Sequence, residues 1–380
     1  MIVHVFNSSV VSGPETLVIP ALGQFGEKAT VIFLSETRKG DKSSGPPAYA
    51  RSFGLDAIEI TVRKRWDRAA LAELSAALER LAPSVVHAHE VKASAYVGAA
   101  ASPTRKYRLV TTNHGVNAKM NWWLLKLYEW VFTHWVMRKF DRVLCVCTSD
   151  RQLLINAGVP AEKILVHLNG VTRPKVAFEH RAQASSEIRK AWGLPDRGVG
   201  KHALVLGLVG RLAPEKRHSY ILHSFKKLRE QHPELDVHLV IFGIGALEAE
   251  LIAETATLKL QDRVHWMGYR GTVGAESVGF DLLISLSRAE GLPINIVEAG
   301  WAATPVYATS VDGNLDLVPS REYGTLVDPA ATEQQISDSL AHELADRVRL
   351  AGTGARLQER IEKYFSETTW IARLREVYHF

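Results

Sequence analysis

Cysteine is nearly absent from this 380-residue chain: only Cys145 and Cys147 occur, alternating within one expected strand so that both side chains face the same way. A redox pair needs turn geometry and a metal site needs more ligands, so the two are read as small buried hydrophobes. Long apolar runs are missing as well. No stretch approaches the roughly 18 residues that a membrane-spanning helix requires. The opening Met1-Ile-Val-His-Val-Phe6 carries neither the basic segment nor the long apolar core of a signal peptide and reads as a first strand. The expected location is therefore the cytoplasm. Acidic residues are scarce in one half only: residues 1–172 hold 21 Lys+Arg against 14 Asp+Glu, and the remainder, from totals of 46 and 41, holds 25 against 27. The basic first half favours an anionic partner, lipid headgroups or a phosphate-bearing acceptor, beside the plainer reading of a solvated surface. No nucleic-acid partner is expected.

A single core seldom grows beyond about 250–300 residues, so this length implies two domains. Apolar runs at Ile2–Phe6, Ala29–Leu34, Ile58–Val62, Val85–Ala88, Leu109–Thr112 and Val143–Val146 alternate with helical patterns such as Asp67–Leu81 and Val91–Ala101. Alternation of this kind predicts a parallel sheet covered by helices on both faces. Composition loosens beyond Pro174, where a hinge is placed, and the rhythm restarts at Ala203–Val209.

Ligands of open parallel sheets bind at the carboxyl ends of the strands. After the first strand, Ser12-Gly13-Pro14-Glu15 is expected as a turn in which Gly13 lets backbone approach a ligand. After the fourth comes His87-Ala88-His89-Glu90, whose two histidines share a face. One nearby carboxylate does not complete a zinc site, so no metal is expected there. After the fifth, Thr112-Asn113-His114-Gly115 places His114 where it hydrogen-bonds a ligand or, on the residues alone, caps the next helix. Lys119–Lys139 then holds Trp122, Trp123, Trp130 and Trp135, with Lys119, Lys126, Arg138 and Lys139 against a single Glu129. That composition suits an interfacial helix on an anionic membrane. It equally suits a packing helix, with Leu124, Leu127, Trp130, Val131 and Trp135 at helical spacing.

In the second half, the strand ending at Val209 runs into Gly210-Arg211-Leu212-Ala213-Pro214-Glu215-Lys216, with a helix expected from about Pro214. Two cations beside a helix N-terminus suit a diphosphate. Val237–Phe242 ends in Gly243-Ile244-Gly245, by itself a weak nucleotide signal, and Val264–Tyr269 is a further strand. The strand Phe280–Ser287 leads to Glu290-Gly-Leu-Pro-Ile-Asn-Ile-Val-Glu-Ala-Gly300, a turn and then a helix with Pro293 at its first position. The helix start at Ile294–Ile296 presents free N–H groups, a seat for phosphate.

Glu290-x7-Glu298 with Ala-Gly after it, and Gly210-Arg211 with Glu215-Lys216, resemble in order and separation the signature of the retaining glycosyltransferases of family 4. The chain differs from that family in having Gly291-Leu292-Pro293 where Gly-Phe-Gly or Ser-Phe-Gly is commoner, and one glycine of two in the first loop. The resemblance implies an α/β GT-B fold, two Rossmann-like domains whose parallel sheets face each other across a cleft. An acceptor domain would span residues 1–172, a donor domain residues 173–365, and the terminal helix 366–380 would cross back to the first. By the same resemblance Arg211 and Lys216 hold the donor diphosphate, Glu290 the sugar hydroxyls, Glu298 the ribose, and backbone around Tyr269 the edge of the base. His114 would lie near the donor sugar, and Gly13, Gly210, Gly243, Gly291, Leu292, Ile294, Asn295 and Ile296 would line the donor.

The implied activity is transfer, with retention, from a nucleotide-diphosphate sugar, UDP or GDP favoured, to a glycan or lipid-linked acceptor. With no Asp-x-Asp at a strand end, the two cations would replace a metal, and neither a cofactor nor an enzyme nucleophile is expected. Peripheral contact with the inner face of the cytoplasmic membrane would run through residues 119–139. The alternatives are a hydrolase using Glu290 and Glu298 as acid and base, a nucleotide-sugar epimerase of the same fold, and a binding protein without turnover.

Overall fold

In the computed structural model every residue is described except 12, 37–44, 115–131, 175–180, 195–202, 272 and 380. The chain divides into two compact units, Met1–Gly170 with Glu367–Phe380, and Val171–Ser366. Val171 belongs with the second because its N–H donates to the Phe365 carbonyl at 2.9 Å and its carbonyl accepts from the Trp301 indole at 3.1 Å.

The first unit is a parallel sheet of β1 (Ile2–Phe6), β2 (Ala29–Glu36), β3 (Asp56–Val62), β4 (Val85–His89), β5 (Arg108–Asn113), β6 (Arg142–Cys145) and β7 (Ile164–Val166), ordered β3-β2-β1-β4-β5-β6-β7. Both faces are covered, which is why the inner strands are mostly apolar, while the edge strand β3 carries exposed Asp56 and Glu59. Val3, Val5, Val86 and Leu109 pack on one side with Leu74, Tyr96 and Val97 of the helices Arg68–Leu81 and Glu90–Ala100. Ile2, Phe6, Val85 and Val110 pack on the other with Val18 and Leu22 of the helix Gly13–Gly23 and with Trp370, Leu374 and Tyr378 of the helix Glu367–Tyr378. The strand order reverses direction between β1 and β4.

Three local expectations need correction. Gly13 begins a helix instead of sitting in a turn, and a Cβ there would meet nothing within 4 Å, so no steric demand selects glycine. Cys147 lies past the end of β6, at the N-cap of the helix Thr148–Asn156, although both cysteines are buried thiols outside any disulfide, as expected. The tryptophan-rich segment falls mostly outside the described residues; its described tail forms a short π-helical turn, Phe132–Val136, and a 3-10 turn, Met137–Lys139. Among the described residues no helix is long and apolar enough to cross a membrane.

The second unit repeats the plan with β8 (Leu204–Val209), β9 (Val237–Phe242), β10 (Val264–Gly268), β11 (Leu282–Ser285), β12 (Val306–Thr309) and β13 (Thr325–Val327), ordered β10-β9-β8-β11-β12-β13 and parallel throughout. Its direction reverses between β8 and β11, and the crevice outside such a reversal is where open α/β sheets bind ligands. The helix expected from Pro214 is a 3-10 turn, Pro214–Lys216, followed by a separate helix, His218–Gln231. Arg217 between them takes a left-handed conformation, φ 56°, which interrupts helical hydrogen bonding. Pro293 is the N-cap of the helix Ile294–Trp301, one residue before the position expected for it.

Candidate active site

The segments that follow β8 and β11 meet in the second unit. Lys216 Nζ lies 2.6 Å from Glu290 Oε1, and the two side chains are only 19% and 8% exposed. An ion pair so far from water holds both ends in one geometry, because leaving either charge alone would carry its full desolvation cost. Backbone bonds brace the pair: the Arg288 N–H donates to the Glu215 carbonyl at 2.8 Å, and the Glu290 N–H donates to Asp312 Oδ2 at 3.0 Å. Arg211 is different. Its guanidinium bonds Glu215 at 2.9 Å, yet 78% of the side chain stays exposed, so most of its donors remain open to a ligand.

Gly243 has φ 150°, and a Cβ on it would come within 1.9 Å of the Gly210 carbonyl oxygen, so only glycine lets the ends of β8 and β9 sit together. Gly313 has the same function on the other side. Its N–H donates to the Gly291 carbonyl at 3.0 Å, and a Cβ would lie 2.0 Å from that oxygen. With its carbonyl thus engaged, Gly291 is held in place. Leu292 is buried, so only its backbone can serve a ligand; Ile296 is buried too, and its N–H, expected to be free, is already engaged. Asn295 donates through Nδ2 to the Val209 carbonyl at 2.8 Å and accepts the Ile296 N–H at 2.9 Å. The Nδ2 end fastens the helix start to β8 and the Oδ1 end takes the Ile296 N–H, which leaves the N–H groups ahead of Ile296, Ile294 among them, for a phosphate.

Glu298 stands one turn along that helix, and among the described residues no hydrogen bond reaches its carboxylate. Burial raises its pKa from 4.5 to about 7. Tyr269, just past β10, is 73% exposed.

In the first unit, His114 follows β5 and is half-buried. Burial, with a smaller contribution from His167, lowers its pKa to about 4, so it is neutral near pH 7. Its Nε2 lies 3.2 Å from His89 Nδ1. His4, His87 and His89 bring ring nitrogens within 4.8 Å of one another. Each of these rings already has hydrogen-bond partners at both nitrogens, so a metal would have to displace them. At the end of β4, Glu90 adopts φ 70°, a conformation that costs energy for a residue with a side chain, and burial followed by the charge of Glu15 raises its pKa to about 7. His4, Glu15, Asp312 and Tyr378 were not singled out from sequence; each acts through a partner far away along the chain.

Two Rossmann-like units, the second with a lysine–carboxylate pair, an open arginine and a helix N-terminus at its strand-order reversal, define an α/β protein of GT-B type. The family model described as "Glycosyl transferases group 1" matches residues 196–365, and that described as "Glycosyltransferase Family 4" matches residues 18–173. The chain belongs to these glycosyltransferases. It is 26% identical over 297 residues to the UDP-Gal:alpha-D-GlcNAc-diphosphoundecaprenol alpha-1,3-galactosyltransferase of Escherichia coli, covering 76% of this chain and 74% of that one. It is 27% identical over 222 residues to the GDP-mannose-dependent alpha-mannosyltransferase of Mycobacterium tuberculosis, covering 58% of this chain and only 53% of that one. In fold it is similar to Anabaena HepE, solved in complex with UDP and glucose, with a TM-score of 0.82 and 19% identity over 99% of this chain and 98% of that one.

Proposed function

We propose that this chain is a retaining, metal-independent glycosyltransferase that moves a sugar from a UDP- or GDP-sugar to a glycan or lipid-linked acceptor. The observation that carries this reading is the Lys216–Glu290 pair at the β8/β11 reversal, beside Arg211 and the start of the helix Ile294–Trp301. Breaking the bond between sugar and diphosphate develops positive charge at the anomeric carbon and negative charge on the departing phosphate. An ammonium has three donors, so Lys216 can keep Glu290 and still meet a phosphate oxygen. Arg211 adds a planar fork suited to phosphate, and the helix start adds N–H groups and the positive end of its dipole. These fixed positive groups replace a divalent cation.

Glu290, anchored by Lys216, receives sugar hydroxyls and is not a nucleophile. Glu298, with an unengaged carboxylate, receives the ribose diol. His114, neutral, serves the donor sugar as a hydrogen-bonding group. The acceptor hydroxyl attacks from the face that the diphosphate leaves, and its proton passes to a phosphate oxygen. Relatives named for UDP-galactose and GDP-mannose support both candidate bases, and the UDP complex of a protein of the same fold supports the first. Peripheral contact with anionic lipid through residues 119–139 is part of the proposal. Replacing Trp122 and Trp123 by Ala should weaken binding to anionic vesicles, and unchanged binding removes that part.

Isothermal titration of UDP, GDP, ADP and CDP in the presence of EDTA tests the core of the reading, with Arg211→Ala as the control. One diphosphate should bind the wild type and bind Arg211→Ala weakly. A site that binds none of them without metal ends the diphosphate assignment.

A further inference from the structure

An unbroken line of hydrogen bonds leads from His114 into the interior of the first unit. His114 Nε2 meets His89 Nδ1 at 3.2 Å, and His89 Nε2 meets His4 Nδ1 at 2.9 Å. His4 Nε2 meets the Tyr378 hydroxyl at 3.2 Å, that hydroxyl meets His87 Nδ1 at 2.6 Å, and His87 Nε2 meets the Thr112 hydroxyl at 2.7 Å. Period-2 alternation places these rings on one face of the sheet, and register brings them together: His4 pairs with His87 across β1 and β4, and His89 with Thr112 across β4 and β5. Tyr378 reaches them from the helix Glu367–Tyr378, which covers that face. Apart from His114, every member is buried.

We propose that this line is a one-way relay that locks His114 in its Nδ1–H tautomer, so that Thr112 and Tyr378 are positioning residues for sugar transfer. The inference deepens the proposed function and rests on the assignment of His114 to the donor sugar.

Its direction follows from donor arithmetic. A neutral imidazole donates from one nitrogen and accepts at the other, so fixing any one member fixes the rest. The rings are neutral because burial drives the pKa of His4 to about 3 and those of His87 and His89 well below the ordinary value. Among the described residues the Thr112 hydroxyl has one hydrogen-bond partner, His87 Nε2. If His87 donated to it, the hydroxyl hydrogen would be left unsatisfied in the interior, at a cost that buried donors rarely bear. Thr112 therefore donates. His87 then carries its proton on Nδ1 and donates to Tyr378, Tyr378 donates to His4, His4 to His89, and His89 to His114. Every ring ends as Nδ1–H, the reverse of the tautomer that free neutral histidine favours. His114 Nε2 is occupied by accepting, and what the ring can offer a ligand is an Nδ1–H donor, suited to a sugar or phosphate oxygen and unsuited to removing a proton.

Imidazole nitrogen–proton correlation spectra of the isotope-labelled full chain read the tautomers directly. The expected result is Nδ1–H at His4, His87, His89 and His114, and Nε2–H at any of them overturns the relay. So does stoichiometric zinc in the purified chain, since a metal would take the same lone pairs. Tyr378→Phe leaves His4 Nε2 without a donor, which narrows the gap between the two directions. The His114 proton should shift toward Nε2, and kcat should fall roughly tenfold, the scale of a lost orienting partner, with KM for the donor little changed. An unchanged His114 tautomer in a folded Tyr378→Phe protein overturns the role of Tyr378; if that variant does not fold, the wild-type spectra decide. A wild type that shows the tautomer pattern but transfers no sugar sinks the functional reading and leaves the relay standing.

Discussion

Lys216 and Glu290 lie 74 residues apart in the chain and 2.6 Å apart in the structure, joining the turn after β8 to the turn after β11. The contact makes this carboxylate and this cation one unit, so neither can be altered without disturbing the other.

Lys216→Met should therefore act twice. One charge-assisted hydrogen bond to phosphate disappears, worth roughly 1.5–3 kcal/mol, so diphosphate affinity measured by titration should fall at least tenfold. The melting temperature should fall as well, because Glu290 is left buried without its cation. Adding Glu290→Gln should recover melting temperature but not affinity. If the double variant binds diphosphate normally, the lysine does not hold phosphate.

Two glycines of the expected donor site should respond oppositely to alanine. Gly243→Ala forces a Cβ against the Gly210 carbonyl at 1.9 Å from a backbone at φ 150°, and denaturant titration should show a loss of several kcal/mol or no folded protein. Gly13→Ala enters a helix with open space around it and should be neutral or stabilising by about 0.4–1 kcal/mol. Comparable destabilisation by both would mean that β8 and β9 relax apart more readily than this geometry allows.

Glu298 makes stability depend on pH in a direction opposite to that of an ion-paired carboxylate. Its folded pKa of about 7 lies above the ordinary 4.5, so across that window the native state retains a proton that the unfolded chain has lost, and stability falls as pH rises. The shift corresponds to a cost on the order of 3 kcal/mol that is fully present above about pH 7. Glu298→Gln should raise the melting temperature at pH 8, gain nothing below pH 4.5, and weaken nucleotide binding through loss of the ribose acceptor. Equal melting curves at both pH values would refute the buried, unengaged state of this carboxylate.

Metal independence has a separate readout. Sugar transfer assayed in EDTA should proceed at the rate seen without it, whereas a rate restored only by added divalent cation would show that Lys216, Arg211 and the helix start do not neutralise the diphosphate alone.

Much of the architecture is readable along the chain, because buried parallel strands are mostly apolar and need no partner to be recognised. The bounds expected for β1, Ile2–Phe6, and for β9, Val237–Phe242, are those observed. Element starts were harder. Pro214 and Gly13 each admit two local conformations, and the choice was made elsewhere, at the left-handed Arg217 in one case and by packing of Val18 and Leu22 in the other. Glycine at 243 is visible in the sequence, but the reason for it is the Gly210 carbonyl on a neighbouring strand.

What the order of residues settled was the alternation of strand and helix, the family, and the short-range company of Arg211 with Lys216 and of Glu290 with Glu298. Pairing settled the rest. Which cation holds which carboxylate, why Asn295 faces β8, and how Thr112, His87, Tyr378, His4 and His89 line up behind His114 depend on strand register and on a terminal helix returning to the first sheet. A hydrogen bond acts over about 3 Å, and linear separation carries no information at that distance until the chain has folded.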